Sequence, residues 1–322
     1  ADPCGDHVPC GQAAFLKAKR KGRLYDFRQN LSLTLLALPS IVFIFIFNYI
    51  PLYGLILPFK EFSVTQGIIR SPWCGLKNFT FLVKSKTILV AIRNTVLYNL
   101  VFIVAGTAVA IIIALFLYEL GRKAVKTYQT MLLIPYFMSW VVVAYILNVL
   151  LDMKSGVFNS ILKMFGKEEI LWYNDGKYWP IILTVVQIWK NMGYNAIVYF
   201  AALMGIDASY FEAAKLDGAN KFQQMWYISL PLIKEIVIIM FILNIGKIFY
   251  GDFGLFYNVT LNSSLIYDYT DVIDTYVYRS LINLGNLGMS ATTGFCQSVI
   301  GFVLVLVTNL TVRKIDKSSA LF

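Results

Sequence analysis

Residues 94–118 read NTVLYNLVFIVAGTAVAIIIALFLY and contain no charged side chain. A helix needs about 20 apolar residues to cross the hydrocarbon core of a bilayer, so this stretch is long enough. The rest of the 322-residue chain has the same character, because 58% of it is hydrophobic and only 14% is charged, with a mean hydropathy of +0.66. A typical globular chain is about 25% charged. The sequence therefore predicts an all-α membrane protein.

Five further stretches match this one in length and apolarity. Two of them contain a few charges, namely Lys190 in the fourth span and Lys234, Glu235 and Lys247 in the fifth. The six predicted transmembrane helices are about 31–59, 94–118, 127–151, 180–204, 231–250 and 291–312. Together they form a six-span membrane domain over 31–312, with a basic tail at 1–30 and a short tail at 313–322.

The distribution of lysine and arginine predicts the orientation of these spans. Basic residues are concentrated in both tails and in the short connection after the second span, whereas the loop 251–279 has four aspartates and one arginine. Because basic flanks stay on the cytoplasmic side, we expect both termini to be cytoplasmic. The loop 60–93 opposes this rule, with six basic residues against Glu61.

Catalytic and metal-binding patterns are nearly absent from the sequence. It contains no G-x-x-x-x-G-K-[ST] phosphate loop, and its one histidine is His7, so Ser-His and Cys-His catalysis in the spans is excluded. Cys4, His7 and Cys10 lack the fourth ligand of a structural zinc site, and a disordered tail is the expectation there. The composition also shows no basic and aromatic pattern typical of nucleic-acid binding. An enzyme is therefore not expected.

The connection between the fourth and fifth spans is Ser209-Tyr-Phe-Glu-Ala-Ala-Lys-Leu-Asp-Gly-Ala-Asn220, followed by Ile228-Ser-Leu-Pro231. Ser209 and Glu212 have the spacing of a capping box that opens a short helix. Gly218 suits a turn that other residues resist, and Asn220 or Asp217 suits the cap of a second short helix. The pattern predicts a helix-turn-helix elbow with a face of small residues.

This elbow resembles the E-A-A-x2-D-G-A and I-x-L-P signature of permease subunits of binding-protein-dependent ABC importers. The matching residues are Glu212, Ala213, Ala214, Asp217, Gly218, Ala219, Ile228, Leu230 and Pro231. Segments 48–54, 71–79 and 271–279 resemble the polysaccharide and oligosaccharide branch of that family, and within it the permeases of alginate importers.

The resemblance implies a type I ABC importer permease fold of six transmembrane helices in the bacterial cytoplasmic (inner) membrane. It also implies that the coupling loop 205–231 docks on a partner ATPase dimer, which would bind ATP and Mg, so that this chain would carry no cofactor. Further implied partners are a second, related permease subunit in a heterodimer, a periplasmic or extracellular solute-binding protein and an oligosaccharide. The implied mechanism is alternating access.

Polar and aromatic side chains within the last spans are candidates for the substrate path. They lie at helical spacing on one face of the fourth span and continue in the fifth. The candidates are Gln187, Lys190, Asn191, Tyr194, Asn195, Asn244, Lys247 and Tyr250. Amides and aromatic rings suit a carbohydrate, and Lys190 or Lys247 would favour a carboxylated one such as alginate. An equally good interpretation of the amides is hydrogen bonding between helices.

An ion-gradient-driven secondary transporter is the alternative function. Such a protein typically has internal repeats, or interrupted helices with an ion site near the middle of the membrane. The sequence shows no paired repeat and almost no acidic residue inside its spans.

Overall fold

The computed structural model describes residues 31–315, whose regular secondary structure is helical apart from one isolated β-bridge between Lys60 and Trp73. The tail at 1–30, including Cys4, His7 and Cys10, and residues 316–322 lie outside the described residues. Within 31–315 we number the α-helices of eight residues or more. They are α1 (Leu31–Ile44), α2 (Lys86–Glu119), α3 (Arg122–Phe137), α4 (Trp140–Leu150), α5 (Val157–Met164), α6 (Trp179–Met204), α7 (Ala208–Leu216), α8 (Lys234–Ile245), α9 (Ile273–Leu284) and α10 (Leu287–Ile315).

Two compact units divide the chain, residues 1–56 and 57–322. In the first, α1 leads without interruption into a π-helical turn, Phe45–Tyr49, and then into the start of a 3₁₀ segment, Ile50–Phe59, which ends in the second unit. Such irregular winding is common where proline removes a main-chain donor, as Pro51 and Pro58 do here. The predicted first span is thus helical along its whole length.

Shorter helices connect the long ones in the second unit. They are Gly67–Arg70, Lys77–Phe79, Thr80–Lys84, Gly176–Tyr178, Lys221–Gln224, Met225–Ser229, Leu230–Leu232, Leu255–Val259, Ser264–Ile266 and Tyr267–Thr270. Among the described residues, three helical stretches are each long and apolar enough to cross a membrane. The number rises to six if each bent pair of helices counts as one span.

The third predicted span is not one straight helix. Two helices, α3 and α4, replace it and meet at an angle of 91°. Pro135 lies within the last turn of α3, and Met138 and Ser139 are extended. Proline removes a helical hydrogen bond, and Ser139 then caps α4 by accepting the N–H of Val142. The predicted span over 127–151 is therefore built from two helices rather than one.

The fifth predicted span is also interrupted and shorter than expected. Leu230–Leu232 and α8 belong to a pair of helical segments bent by 57°, and α8 ends at Ile245 rather than near 250. Conversely, α2 and α10 extend beyond the second and sixth predicted spans at both ends. These differences arise at residues where turns and caps, rather than apolarity, set the helix limits.

Helix α6 lies at the centre of the second unit, packed against α2 and α3. Two buried clusters join α6 to α2, one around Trp179 and Leu183 and the other around Ala196 and Tyr199. Small residues allow the closest approach: a Cβ atom at Gly193 would overlap the carbonyl group of Leu132 in α3. The glycine is therefore required by backbone contact rather than by its own conformation.

Gly193→Ala is expected to destabilise the protein by about 1 to 3 kcal/mol, because the added methyl group would push α6 away from the α3 backbone. The midpoint of thermal unfolding of the purified protein in detergent would measure this loss. Gly294→Ala in α10 is the matched control, since no atom lies within 4 Å of a Cβ placed there. Equal unfolding midpoints for the two variants would contradict the assignment of a tight α3–α6 contact.

Local contacts account for half of the basic residues of loop 60–93, which run against the charge rule. Lys60 is buried and donates to the carbonyls of Ile68 and Ile69 at 2.9 and 2.7 Å. Lys77 pairs with Glu61 at 3.3 Å, and Arg93 donates to the carbonyl of Asp268. Because these three charges organise the loop, they are weak evidence about which side of the membrane it occupies.

A buried ion pair organises the segment before α9. Arg279 pairs with Asp271, whose side chain is only 2% exposed. The Arg279 guanidinium also lies over the Tyr267 ring, 4.0 Å from its centre, and donates to Asn262. Asn94 of α2 donates to the carbonyl of Asp271 at 3.0 Å, so this network fixes the segment to the start of α2.

Candidate functional site

A cavity of about 490 Å³ lies between α2, α6 and the residues that follow α8. Seven of the eight predicted path residues line it: Gln187, Asn191, Tyr194, Asn195, Asn244, Lys247 and Tyr250. Their helical spacing places the first four on one face of α6, and the last three come from the end of α8 and the turn beyond it. The structure thus brings together two groups that are separated by about 50 residues in the sequence.

Hydrogen bonds and ring contacts hold the cavity walls. Asn99 of α2 donates to the carbonyls of Ile248 and Tyr250 at 3.0 Å, which fixes the turn after α8 against α2. The Tyr136 and Tyr194 rings stack with their centres 4.7 Å apart. The side-chain oxygen of Gln187 is buried without a protein hydrogen-bond partner. Such an acceptor suits a ligand hydroxyl group.

The cavity contains one acidic and one basic side chain among its lining residues. Asp252 is already engaged, since it accepts the indole N–H of Trp140 at 3.0 Å and the main-chain N–H of Leu255. Within the described residues, the Lys247 ammonium has no hydrogen bond or ion pair with protein, and its side chain is exposed. Lys247 is therefore available to a negatively charged ligand.

Lys190, the eighth predicted path residue, does not line the cavity. Its side chain is buried, and its ammonium donates to the carbonyls of Pro135, Tyr136 and Met138 at 3.3, 2.8 and 2.7 Å. These carbonyls lie at the end of α3, where a helix leaves oxygens without partners. The contacts correct the expectation that Lys190 faces the path: its charge is used between helices.

The other lining residues are not among the predicted path residues. They come from α2, from the end of α3, from α6 and from the turn after α8: Asn99, Phe102, Ile103, Gly106, Thr107, Tyr136, Ile188, Met192, Gly251 and Asp252. Asn99 could have been identified from the sequence, because it is an amide side chain inside a charge-free stretch. Tyr136 could not, because its position depends on the break between α3 and α4.

The predicted elbow begins with α7, but its cap differs from the expectation. Asp207, rather than Ser209, is the N-cap residue, and its carboxylate accepts the main-chain N–H of Ser209 at 2.9 Å. Hydrogen bonds from Ser209 hold the pKa of the Asp207 carboxyl below its usual range. The predicted capping box of Ser209 with Glu212 was therefore wrong.

The second half of the elbow has the predicted turn and cap. Gly218 has φ +79°, a conformation that favours glycine. Asn220 and Gln223 form a reciprocal capping box that opens Lys221–Gln224. The turn between the two short helices is thus specified by residues that adopt and close it.

Two contacts attach the elbow to the end of α2. The Phe211 ring is buried against Tyr118, with centres 5.4 Å apart, and Lys221 forms an ion pair with Glu119. The opposite side of α7 is open, and Leu216 is 90% exposed.

The nine signature residues divide by exposure. Glu212, Ala213, Asp217, Gly218 and Pro231 are exposed, whereas Ala214, Ala219, Ile228 and Leu230 are half-buried. The elbow therefore presents a surface with few bonds to the rest of the chain.

Several known proteins are similar to this chain in sequence and in fold. Residues 106–317 match the family described as "Binding-protein-dependent transport system inner membrane component". The polygalacturonan/rhamnogalacturonan transport system permease protein YteP of Bacillus subtilis (strain 168) is 32% identical over 301 residues, covering 93% of each chain.

Two solved structures are similar over 92% of this chain at 29% identity. One is described as a bacterial ABC transporter involved in the import of the acidic polysaccharide alginate, with a TM-score of 0.83 and all of that chain covered. The other is a bacterial alginate ABC transporter in complex with an alginate pentasaccharide-bound periplasmic protein, with a TM-score of 0.82 and 99% of that chain covered.

Proposed function

The chain belongs to the family of binding-protein-dependent transport system inner membrane components, and from this membership we propose that it carries an acidic oligosaccharide across the bacterial inner membrane by ATP-driven alternating access. The observation that carries the proposal is the cavity, which combines amides, tyrosines and the unpaired Lys247 ammonium. Amides bind hydroxyl groups, rings stack on sugars and an ammonium binds a carboxylate. Oligouronates, including those of alginate, are the substrate class that uses all three.

Helix α2 is proposed to connect this cavity with the ATPase. It lines the cavity through Asn99 and Thr107 and holds the elbow at Tyr118 and Glu119. At 1.5 Å per residue, about 16 Å of continuous helix separate Thr107 from Tyr118. A displacement of the elbow, residues 205–231, would therefore move a wall of the cavity without a flexible intermediate.

The proposed partners follow from this arrangement. A separate ATPase dimer, which binds ATP and Mg, docks on the elbow, a second related permease completes the path, and a solute-binding protein delivers the sugar. Both chain termini are proposed to be cytoplasmic, on the side of the elbow. In support of a binding-protein partner, one structural neighbour is described with a sugar-loaded periplasmic protein.

Ion-driven transport is less well supported by the broken helix. In secondary transporters, carbonyls at such breaks coordinate the driving ion. At the break between α3 and α4, three carbonyls already accept hydrogen bonds from Lys190. A tethered ammonium thus occupies the position that an ion would need.

Uptake of a galacturonate trisaccharide into vesicles tests the proposed energy source. The complex of this chain with its ATPase, second permease and binding protein is expected to import the sugar only with internal ATP. We expect import to continue when ionophores collapse the sodium and proton gradients. Uptake that needs a gradient and no ATP would contradict the proposal.

Lys247→Met is expected to weaken binding of the galacturonate trisaccharide to the complex about tenfold or more, because a charge-assisted hydrogen bond is lost. Binding of neutral maltotriose should change little. Equilibrium binding of labelled sugars to the purified complex gives both values, and Lys154→Met, an exposed site outside the cavity, is the control. Equal weakening of both sugars by Lys247→Met would remove the case for carboxylate recognition.

A further inference from the structure

Lys190 of α6 is a buried cation with no acidic partner in direct contact among the described residues. It is 7% exposed, and its three N–H donors are directed at three main-chain carbonyls of the α3–α4 break. A lysine ammonium has three donors, so its hydrogen bonding is complete. The C-terminal end of a helix carries partial negative charge, so the C-terminal end of α3 favours a cation at this position.

The aromatic side chains of the break surround the same ammonium. Its nitrogen lies 5.6 Å from the centre of the Tyr136 ring and 5.1 Å from that of Trp140. Trp140 in turn donates to Asp252, and a Cβ atom at Gly254 would overlap the Trp140 ring. The break is thus held from α6 on one side and from the turn after α8 on the other.

Tyr136 is the residue of this break that reaches the cavity. Helix α6 holds it twice, since Lys190 binds its carbonyl at 2.8 Å and Tyr194 stacks on its ring. Lys190 and Tyr194 are four residues apart and therefore lie on one face of α6. One contact places the main chain of residue 136, and the other places its ring on the cavity wall.

We infer that Lys190 is a positioning residue, which clamps the α3–α4 break so that Tyr136 forms part of the wall of the sugar path. The inference rests on the proposed function only in that it takes the cavity to be a sugar path. The clamp itself concerns only the geometry of the cavity. Lys190 acts through Tyr136 and does not contact the sugar.

Thiol accessibility tests the clamp without a substrate. The four native cysteines are replaced by serine, and Tyr136→Cys or Tyr250→Cys is introduced into the full complex in vesicles. The rate of alkylation by a water-soluble maleimide is then compared with and without Lys190→Met. We expect the rate at position 136 to fall about fivefold or more, the order expected from losing a charge-assisted hydrogen bond, and the rate at position 250 to stay the same. Lys190→Arg, which keeps the charge, should retain most of the reactivity at position 136.

An unchanged rate at position 136 would overturn the inference, and so would an equal change at both positions, which indicates general loosening. If Lys190→Met fails to assemble, Trp140→Phe replaces it, because this variant removes the indole N–H bond to Asp252 and shrinks the ring that lies over the Lys190 ammonium. The same selective fall at position 136 is then expected, and its absence counts against the clamp. Sugar uptake by the unsubstituted complex is measured separately, so a failure of the proposed transport function is distinguished from a failure of the clamp.

Discussion

Glu212→Ala is expected to lower ATP-dependent uptake of the galacturonate trisaccharide by about thirtyfold or more, while leaving the fold intact. Glu212 is exposed on α7, and its carboxylate makes no hydrogen bond or ion pair within the described residues. Its loss therefore costs the isolated chain little. If the elbow docks on the ATPase, a central polar residue of that interface contributes about 2 kcal/mol or more.

The matched control is Lys215→Ala, an exposed residue of the same helix outside the nine signature positions. Uptake and ATP hydrolysis by the complex are measured for both variants, together with the amount of ATPase that co-purifies. We expect Glu212→Ala alone to lose ATPase or to hydrolyse ATP without transport. Normal assembly and sugar-stimulated hydrolysis in Glu212→Ala would exclude the proposed coupling role of this residue.

Arg279→Met is expected to have the largest effect on stability, a loss of about 3 to 5 kcal/mol, because it leaves the Asp271 carboxylate buried without a counter-charge. Asp271 is 2% exposed, and one of its oxygens already lacks a hydrogen-bond partner. Its other oxygen accepts the Thr275 hydroxyl at 2.6 Å, which alone does not balance the charge. Unfolding of the purified protein by titration with SDS would measure the loss.

Two comparisons separate the buried charge from a general effect of substitution. Lys77→Met breaks an exposed ion pair with Glu61 and should cost at most about 1 kcal/mol. Adding Asp271→Asn to Arg279→Met removes the unpaired charge and is expected to restore a large part of the stability. If the double variant were less stable than Arg279→Met, the ion pair would not be the source of the effect.

Charge-free stretches predicted most of the membrane helices because an apolar run of about 20 residues has few other stable environments. The break between α3 and α4 was missed for a related reason: residues 127–151 are apolar on both sides of it. Apolarity indicates that a segment is buried in lipid or protein, but it does not show whether the helix is straight. Pro135 was visible, yet proline occurs in both bent and broken spans.

The two lysines of the candidate path show where sequence reasoning ended. Lys190 and Lys247 occupy similar polar positions in apolar spans, and both were predicted to face the path. Only packing distinguishes them, since Lys190 reaches the free carbonyls of α3 whereas Lys247 meets no partner within the described residues. The helical spacing of polar residues shows that they lie on one face of a helix. It does not show which groups of the neighbouring helix contact that face.

The sequence by itself determined the membrane class, the elbow and most of the polar face of α6, because each depends on residues that are close along the chain. Only the tertiary structure decided that α2 joins cavity and elbow, that Tyr136 lies on the cavity wall and that Lys190 does not. These features depend on contacts between residues 50 or more positions apart. Local propensity and helical periodicity contain no information about such contacts, because they arise from the packing of one helix against another.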